Sequence, residues 1–370
     1  MIPAISRRET GGAPKKYLVT GGAGFIGSCF VLGAVSRGTA TLTLDKLCYS
    51  GNLLNLLSLK DNPLHRFERG DIGDFSFILS LLEDFRPDAL INFAAESHVD
   101  RSILAPEDFV RTNVLGTHSL LAAVLAWWKK LPAGAAEKFR FLHVSTDEVF
   151  GSLRAGEPAF TESTPYAPNS PYSASKAASD HFARAYHATY GLPVLITNCS
   201  NNYGPRQFPE KLIPLVIARA MRRESLPLYG NGENIRDWLH VEDHCAAIKL
   251  VLNRGTPGET YNVGGQAERR NIDVVRTVCS ALDELRPHPD GPYAGLIRFV
   301  ADRAGHDFRY AVNSAKIERE LGWKRKFGFE QGLRETVLWY LENPDWLAAV
   351  QSGAYRDWIR KNYPDPEAVS

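Results

Sequence analysis

The chain has 370 residues, 44% of them apolar and 23% charged, with a formal net charge of +1. That length points to two closely packed domains, and the composition is that of an ordinary globular protein. Near-neutral charge argues against a nucleic-acid or membrane-surface partner, and no stretch approaches the roughly 20 apolar residues of a membrane span.

Residues 1–14 are polar, lack the apolar core of a signal peptide, and read as a flexible leader. Short apolar runs at 17–20, 41–44, 89–93, 141–144 and 194–197 read as buried parallel strands. Between them, segments such as 75–84 and 110–128 carry apolar residues at helical spacing. The alternation predicts an α/β fold with a doubly wound parallel (Rossmann) sheet over 15–200. Past residue 200 the texture changes. Pro205, Pro209, Pro214 and Pro227 punctuate shorter elements, which predicts a smaller mixed α/β domain over 201–363. It completes a cleft, and some of its segments cross back to the first lobe. Residues 364–370 read as a tail. The five cysteines, Cys29, Cys48, Cys199, Cys245 and Cys279, are scattered. An odd, dispersed set fits reduced thiols in a cytoplasm better than disulfides or a zinc site, so no metal is expected.

Gly21-Gly22-Ala23-Gly24-Phe25-Ile26-Gly27 follows the first strand and opens a helix. Such glycines permit a tight turn and close backbone approach to a pyrophosphate. The helix N-terminus would then face the phosphates with unpaired N–H groups. Asp45 ends the second strand, eighteen residues past Gly27. A carboxylate there accepts from an adenosine ribose and repels a 2′-phosphate, favouring NAD over NADP; the adjacent Lys46 weakens that preference slightly. Asp71 and Ile72 are placed to bracket the adenine, a surface turn being equally compatible. The small residues of Ala94-Ala95-Glu96-Ser97 would let a dinucleotide lie against the backbone.

Thr146-Asp147-Glu148 end the strand at 141–144. Two carboxylates there are poor packing material, so they are either a loop capping the next helix or an acid–base pair for elimination. Unequal environments would hold the two at different pKa values; spacing does not say which is the acid. Tyr172 and Lys176 sit one helical turn apart on one face. A lysine charge beside a phenol favours the phenolate, which then takes a proton from a substrate hydroxyl as hydride leaves the same carbon. A bare Tyr-x-x-x-Lys is nearly uninformative alone; its weight comes from the glycine loop and the Ser145-Thr146 strand end.

Together, Gly21 to Gly27, Thr146-Asp147-Glu148 and Tyr172 to Lys176 resemble the extended short-chain dehydrogenase/reductases, in particular their nucleotide-sugar dehydratases, from about Lys16 to Tyr363. Further marks are Asp45-Lys46-Leu47, Ala94 to Ser102, Thr197 to Pro205, Phe208 to Pro214, Ile235 to Trp238 and Asp302 to Asp307. The resemblance implies dTDP-glucose as substrate and a tightly held NAD regenerated each cycle, in deoxysugar synthesis of the rhamnose type. It makes Tyr172 the base for the sugar 4-hydroxyl, with Lys176 tuning it and Thr146 bonding the 4-oxygen. It makes Glu148 the base at C5 and Asp147 the acid for the departing C6 hydroxyl. It adds Leu47, Thr112 and Asn202 to the cofactor residues. For the substrate it implies Ser97, Asn201, Asn271 and His306 as polar contacts. Lys211, Arg236 and Arg303 would be cations for the diphosphate, and Leu212, Pro227 and Tyr229 would pack around base or ribose. It also implies a homodimer through a four-helix interface built from 110–128 and 174–190.

The chain departs from the family at Phe150, where tyrosine is common, at Ala304, where proline is common, and in a shorter 151–160 segment. The nearest rival is a dehydratase for another nucleoside-diphosphate hexose. A 4-epimerase or decarboxylase of the same fold needs the glycine loop and the Tyr–Lys pair but no Asp-Glu pair. A silent NAD-binding regulator would be favoured if Tyr172, Lys176 or both acids were missing, and all four are present.

Overall fold

The computed structural model describes residues 15–303 and 305–351. The leader at 1–14, the tail at 364–370 and the departure at Ala304 lie outside the described residues. Six strands alternate with helices through the first half: β1 (Lys16–Thr20), β2 (Ala40–Asp45), β3 (His65–Arg69), β4 (Ala89–Asn92), β5 (Arg140–Thr146) and β6 (Val194–Cys199). Six more follow: β7 (Asn201–Tyr203), β8 (Leu226–Tyr229), β9 (Ile235–His240), β10 (Thr260–Val263), β11 (Glu268–Arg270) and β12 (Ile297–Val300).

β10, β6, β5, β4, β1, β2 and β3 form one parallel seven-stranded sheet in that order. The chain reverses direction across the sheet between β1 and β4, the kind of switch point where open α/β sheets bind ligands. β4 and β6 are buried throughout, which is why they read as continuous apolar runs rather than alternating ones. β3 lies at the sheet's edge and is only half buried, so it carries no such run. Among the later elements, β7, β9 and β11 form a small mixed sheet, and β8 pairs with β12.

The second half of the chain also builds the first lobe. β10 extends the large sheet, and the helix Val241–Arg254 buries Ala247, Ile248 and Val251 in the same core as Phe30 and Val31 of the helix Phe25–Ser36. A separate core gathers Ile213, Val216, Leu228, Val275 and Leu333 around the small sheet.

The helix expected at 110–128 is longer and not uniform. A turn Pro106–Phe109 leads into a π-helical segment Val110–Gly116 and then the α-helix Thr117–Trp128. Wide π turns often accompany functional sites. Here the segment carries Asn113, which donates to Ser175 Oγ (2.8 Å) and exchanges two bonds with the Glu96 backbone. It thereby ties the loop after β4 to the helix Pro171–Tyr190. The same run corrects the expectation that no stretch approaches a membrane span. Pro106–Trp128 has 23 residues, and its most apolar window reaches a mean hydropathy of 1.2, enough by length and composition. Half of that window is buried inside the fold, as in a core helix.

Candidate active site

The cofactor cradle is shaped by the absence of side chains. At Gly21 (φ +67°) a Cβ would meet Ala94 N at 2.6 Å, and at Gly27 it would meet Gly21 O at 2.3 Å. Only glycine lets these segments close so tightly. Gly24 is the N-cap of the helix Phe25–Ser36 and supplies no side-chain cap, so the first-turn N–H groups stay open to an anion. Asp45 braces the loop: its Oδ2 accepts from Ala23 N (3.0 Å) and its Oδ1 from Leu47 N (2.8 Å). Each oxygen keeps a second lone pair, and Asp45 lines the cleft.

The cleft brings together Gly21, Gly24, Phe25, Ile26, Gly27, Asp45, Lys46, Asp71, Ile72, Ala94, Ala95, Ser97, Thr112, Tyr172, Lys176 and Asn202. Leu47 does not line it; that residue turns through φ +58° and packs against the core behind. Lys46 donates to Thr112 Oγ1 (2.8 Å) and lies near Glu96 (3.6 Å) and Asp71 (3.9 Å). Its charge is balanced by two carboxylates, which removes its pull toward a 2′-phosphate. A glycine-walled groove with open N–H groups at a helix end, and a carboxylate with lone pairs left to accept from a ribose, fits NAD.

Thr146, at the end of β5, caps the 3₁₀ turn Asp147–Phe150, its Oγ1 accepting from Glu148 N (3.3 Å). Asp147 is only 1% exposed. Its Oδ1 has the Thr146 hydroxyl at 3.3 Å, and its Oδ2 has no partner among the described residues. Burial, then the Glu148 and Asp237 carboxylates, push the Asp147 pKa well above the usual range, against the pull of Arg236. Burial also raises Glu148, but Arg303, Lys211 and Arg236 all pull it back. The two adjacent carboxyls therefore differ: Asp147 favours the neutral acid, Glu148 is the better carboxylate.

The helix Pro171–Tyr190 starts at a reciprocal Ser170–Ser173 capping box with proline at its first position. This fixes the register that turns both Tyr172 and Lys176 into the cleft. Lys176 donates to Val144 O (2.8 Å) and reaches His143 Nε2 at 3.4 Å. Burial lowers its pKa, partly offset by Asp180. The Tyr172 phenol is raised well above its ordinary value, first by burial and then by Glu148, with the Thr146 hydrogen bond pulling the other way. The expected lowering by Lys176 thus meets a correction: the ammonium is turned to the β5 backbone, and burial, then Glu148, raises the phenol.

Behind Lys176 lies a buried network that the sequence reading missed. Asp180 Oδ2 accepts from Ser145 Oγ (2.8 Å), Tyr166 OH (2.9 Å) and Asn198 Nδ2 (3.3 Å). His143 Nε2 stands 3.3 Å from Asp180 Oδ1, but Oδ1 has no well-aligned hydrogen bond; the contact is electrostatic rather than a good bond. The signal in sequence was Asp180, one turn after Lys176 on the same face.

A second cavity adjoins the first and shares Glu148, Asn201, Asn202 and Lys211. Leu212, Pro227, Tyr229, Arg236, Asn271, Arg303 and His306 line it. Ser97 and Thr146 stay on the cofactor side. Lys211 Nζ is held by Ser97 O (2.7 Å). Arg303 Nη1 pairs with Asp100 Oδ1 (3.1 Å), whose Oδ2 accepts from Tyr229 OH (3.1 Å). Asp100, missed as a site residue, lies within the family mark Ala94 to Ser102. Asn201 Oδ1, Asn271 Oδ1 and Arg303 Nε are buried without partners among the described residues. Orphaned polar atoms beside three cations suit a polar, anionic ligand. Burial and Arg303 lower the His306 pKa to about 4, so it meets a ligand as neutral imidazole near pH 7.

Fold and site together define a dinucleotide-dependent α/β enzyme whose cleft joins a redox cradle to an acid–base pair and an anion-binding lobe. A family model for GDP-mannose 4,6 dehydratase matches residues 18–336, and the chain belongs to that family. It is 60% identical over 342 residues to a dTDP-glucose 4,6-dehydratase of Xanthomonas campestris, covering 92% of this chain and 97% of that one. DesIV, a dTDP-glucose 4,6-dehydratase from Streptomyces venezuelae whose crystal structure has NAD and TYD bound, superposes with a TM-score of 0.83. It is 46% identical, and the match covers 90% of this chain and 99% of that one. A Bacillus anthracis dTDP-glucose 4,6-dehydratase in complex with NAD gives 0.80 at 44% identity, covering 91% and 99%.

Proposed function

We propose that this chain converts dTDP-glucose to dTDP-4-dehydro-6-deoxy-glucose and water, with NAD tightly bound and regenerated each cycle. The observation that carries the reading is the unequal Asp147–Glu148 pair on the floor of a dinucleotide cleft. The similarity to relatives named for this activity, over nearly the whole chain, supports it.

Bound NAD supplies a hydride acceptor that becomes a donor later in the same turnover, and a positive nicotinamide ring that favours the tyrosinate. Tyr172 takes the proton of the sugar 4-hydroxyl. Thr146 orients the 4-oxygen, and Lys176 holds the nicotinamide ribose. With C4 a ketone, the C5 proton is acidic and Glu148 removes it. Asp147 gives its proton to the C6 hydroxyl, which leaves as water. Glu148 then returns its proton to C5. Lys211, Arg236 and Arg303 face the diphosphate, Arg being suited to paired contacts with phosphate oxygens. Ser97, Asn201, Asn271 and His306 add polar contacts, while Leu212, Pro227 and Tyr229 pack on base and ribose.

Purified protein should be incubated with dTDP-glucose, UDP-glucose and GDP-mannose without added NAD. A 4-keto-6-deoxy product from dTDP-glucose alone is expected. A C4 epimer, or no turnover even with added NAD, would defeat the reading.

The assembly that fits is a homodimer through a four-helix interface. Val110 and Leu115 on one helical run, and Phe182 and Tyr190 on the helix Pro171–Tyr190, are large apolar side chains 37–60% exposed. A second copy would cover them. Light scattering on the eluting peak should give twice the chain mass; a monomer throughout would exclude this assembly. An odd, dispersed set of five cysteines supports a reducing cytoplasm as the working compartment.

A further inference from the structure

A hexose joined to a diphosphate carries its reacting carbons at the end away from the phosphates. In the proposed reaction the nucleotide lobe grips one end and Tyr172 works on the other, so the two must be held in register. The stretch Asp302 to Asp307 ends on a carboxylate that no step above uses. Asp307 is buried and lines neither cavity, yet it joins the segments that carry those two functions.

The chain from Asp307 to Ala311 forms a strap between the lobes. Toward β9, Ile235 N donates to Phe308 O (2.8 Å) and Tyr310 N to Ile235 O (3.2 Å). Toward the segment that follows the Asp147–Phe150 turn, Leu153 N donates to Arg309 O (2.9 Å) and Phe160 N to Ala311 O (2.9 Å), while Phe308 N donates to Ser152 Oγ (3.0 Å). Asp307 heads this strap. Its carbonyl accepts from Arg236 Nη2 (2.9 Å) and Asn234 Nδ2 (3.2 Å). Its Oδ2 accepts from the Tyr310 phenol, whose ring centre lies 4.3 Å from the Arg236 guanidinium. Its Oδ1 accepts from Asn169 Nδ2 (2.7 Å). Asn169 directly precedes Ser170, the cap of the helix Pro171–Tyr190. We propose that Asp307 is a positioning residue: through Asn169 it yokes Arg236 to the start of the helix that carries Tyr172, and so sets where the sugar's C4 meets the phenol.

The inference rests on the reaction proposed above. Ile235 O (2.7 Å) and Phe308 O (3.4 Å) accept from Arg236 Nη1, so backbone carbonyls of β9 and the strap hold both terminal nitrogens. Arg236 therefore moves with the strap, and its Nε–H is left for a phosphate oxygen. A carboxylate suits position 307 because its two oxygens accept from Asn169 and Tyr310 at once, whereas an amide has one oxygen and one donor. Asn169 is exposed, where water competes for its amide, so the bond adds little to overall stability. Its value lies in placement. A shift of about 1 Å between reacting atoms can cost about a hundredfold in rate, and the tie joins the two elements whose separation fixes that distance.

The test exchanges the two partners. Asn169→Asp sets two carboxylates against each other and breaks the tie. The double variant Asn169→Asp, Asp307→Asn restores it in reverse, with the new amide donating to the new carboxylate and its oxygen still accepting from Tyr310. The exchange also keeps the pair's net charge, so a changed field at Glu148 does not by itself decide the outcome. Each NAD-loaded protein is assayed for kcat with saturating dTDP-glucose and for dTDP affinity by calorimetry. Asn169→Asp should lose up to about a hundredfold in kcat with dTDP affinity unchanged, and the double variant should recover wild-type kcat. Undiminished kcat in Asn169→Asp, no recovery in the double variant, or dTDP affinity falling in step with kcat would overturn the tie and leave the dehydratase reading intact. Wild type that makes no 4-keto-6-deoxy product would overturn both. If Asn169→Asp fails to fold, Asn169→Ala removes the donor without adding charge and should show the same split between kcat and affinity.

Discussion

Asp243 and Asp147 are both buried carboxyls close to the end of a strand, yet their surroundings are opposite. Asp243, in the first turn of the helix Val241–Arg254, accepts from Lys326 N (2.9 Å) and Phe327 N (3.0 Å), and its carbonyl accepts from Trp323 Nε1 (3.2 Å). Asp237 likewise accepts from Gly265 N (2.8 Å) and Ala267 N (2.7 Å). These scaffold carboxylates are satisfied, and they tie distant loops to the core. On the floor of the cleft, Asp147 has one hydroxyl neighbour and one orphaned oxygen. A buried polar group without partners costs free energy. Where the fold could have satisfied it and did not, the group is available to the substrate.

The largest effect should come from the unsatisfied side. Asp147→Asn and Glu148→Gln should each cut dehydration by about 10²–10⁴-fold while retaining NAD, read from product formation and the cofactor content of purified protein. Either variant with full activity would break the distinction drawn between the two regions. On the satisfied side, Asp243→Asn cannot accept from both N–H groups, because one side-chain oxygen becomes a donor. It should cost about 2 kcal/mol of stability by denaturant titration, with activity per folded molecule preserved.

The pH dependence sharpens the contrast. The Asp147 pKa in the folded chain lies well above its unfolded value. Between those two values the native state holds more protons than the unfolded one, so stability falls as pH rises through that window. Below the ordinary carboxyl range, near pH ~4, the contribution vanishes because both states are protonated. Asp147→Asn removes this term. Its stability relative to wild type should therefore grow as pH rises above that range, by up to about 1.4 kcal/mol for each pH unit crossed, in paired thermal melts. A constant difference across pH would count against a raised Asp147. The smallest effect is expected in the nucleotide lobe. Arg303→Lys keeps the charge but loses the planar fork, and should raise KM for dTDP-glucose about tenfold with a lesser change in kcat, read from initial rates.

The large sheet was legible because its central strands are buried on both faces and read as plain apolar runs. The edge strand His65–Arg69 gave no such run, and β10 is four residues long and joins the sheet from the far half of the chain. The glycine loop, Asp45, the Asp147–Glu148 pair and the Tyr172–Lys176 pair were legible because each motif is local. What sets their chemistry is not local. Glu148 is tuned by Lys211, Arg236 and Arg303, and Lys176 is backed by His143 from the strand β5. No periodicity carries contacts between residues that far apart in the chain. Leu47 reads as part of a motif, yet it bends away to the core, because only its backbone N–H is needed by Asp45.

On the proposed reaction, one cleft oxidises C4, eliminates water across C5 and C6, and completes the reduction within one bound sugar. Carbon-4-deuterated dTDP-glucose, mixed with unlabelled substrate, tests it directly by mass spectrometry and NMR of the product. The account predicts deuterium on the C6 methyl of the originally labelled molecules, without crossover. Deuterium remaining at C4, or scrambled between molecules through free cofactor, would contradict it.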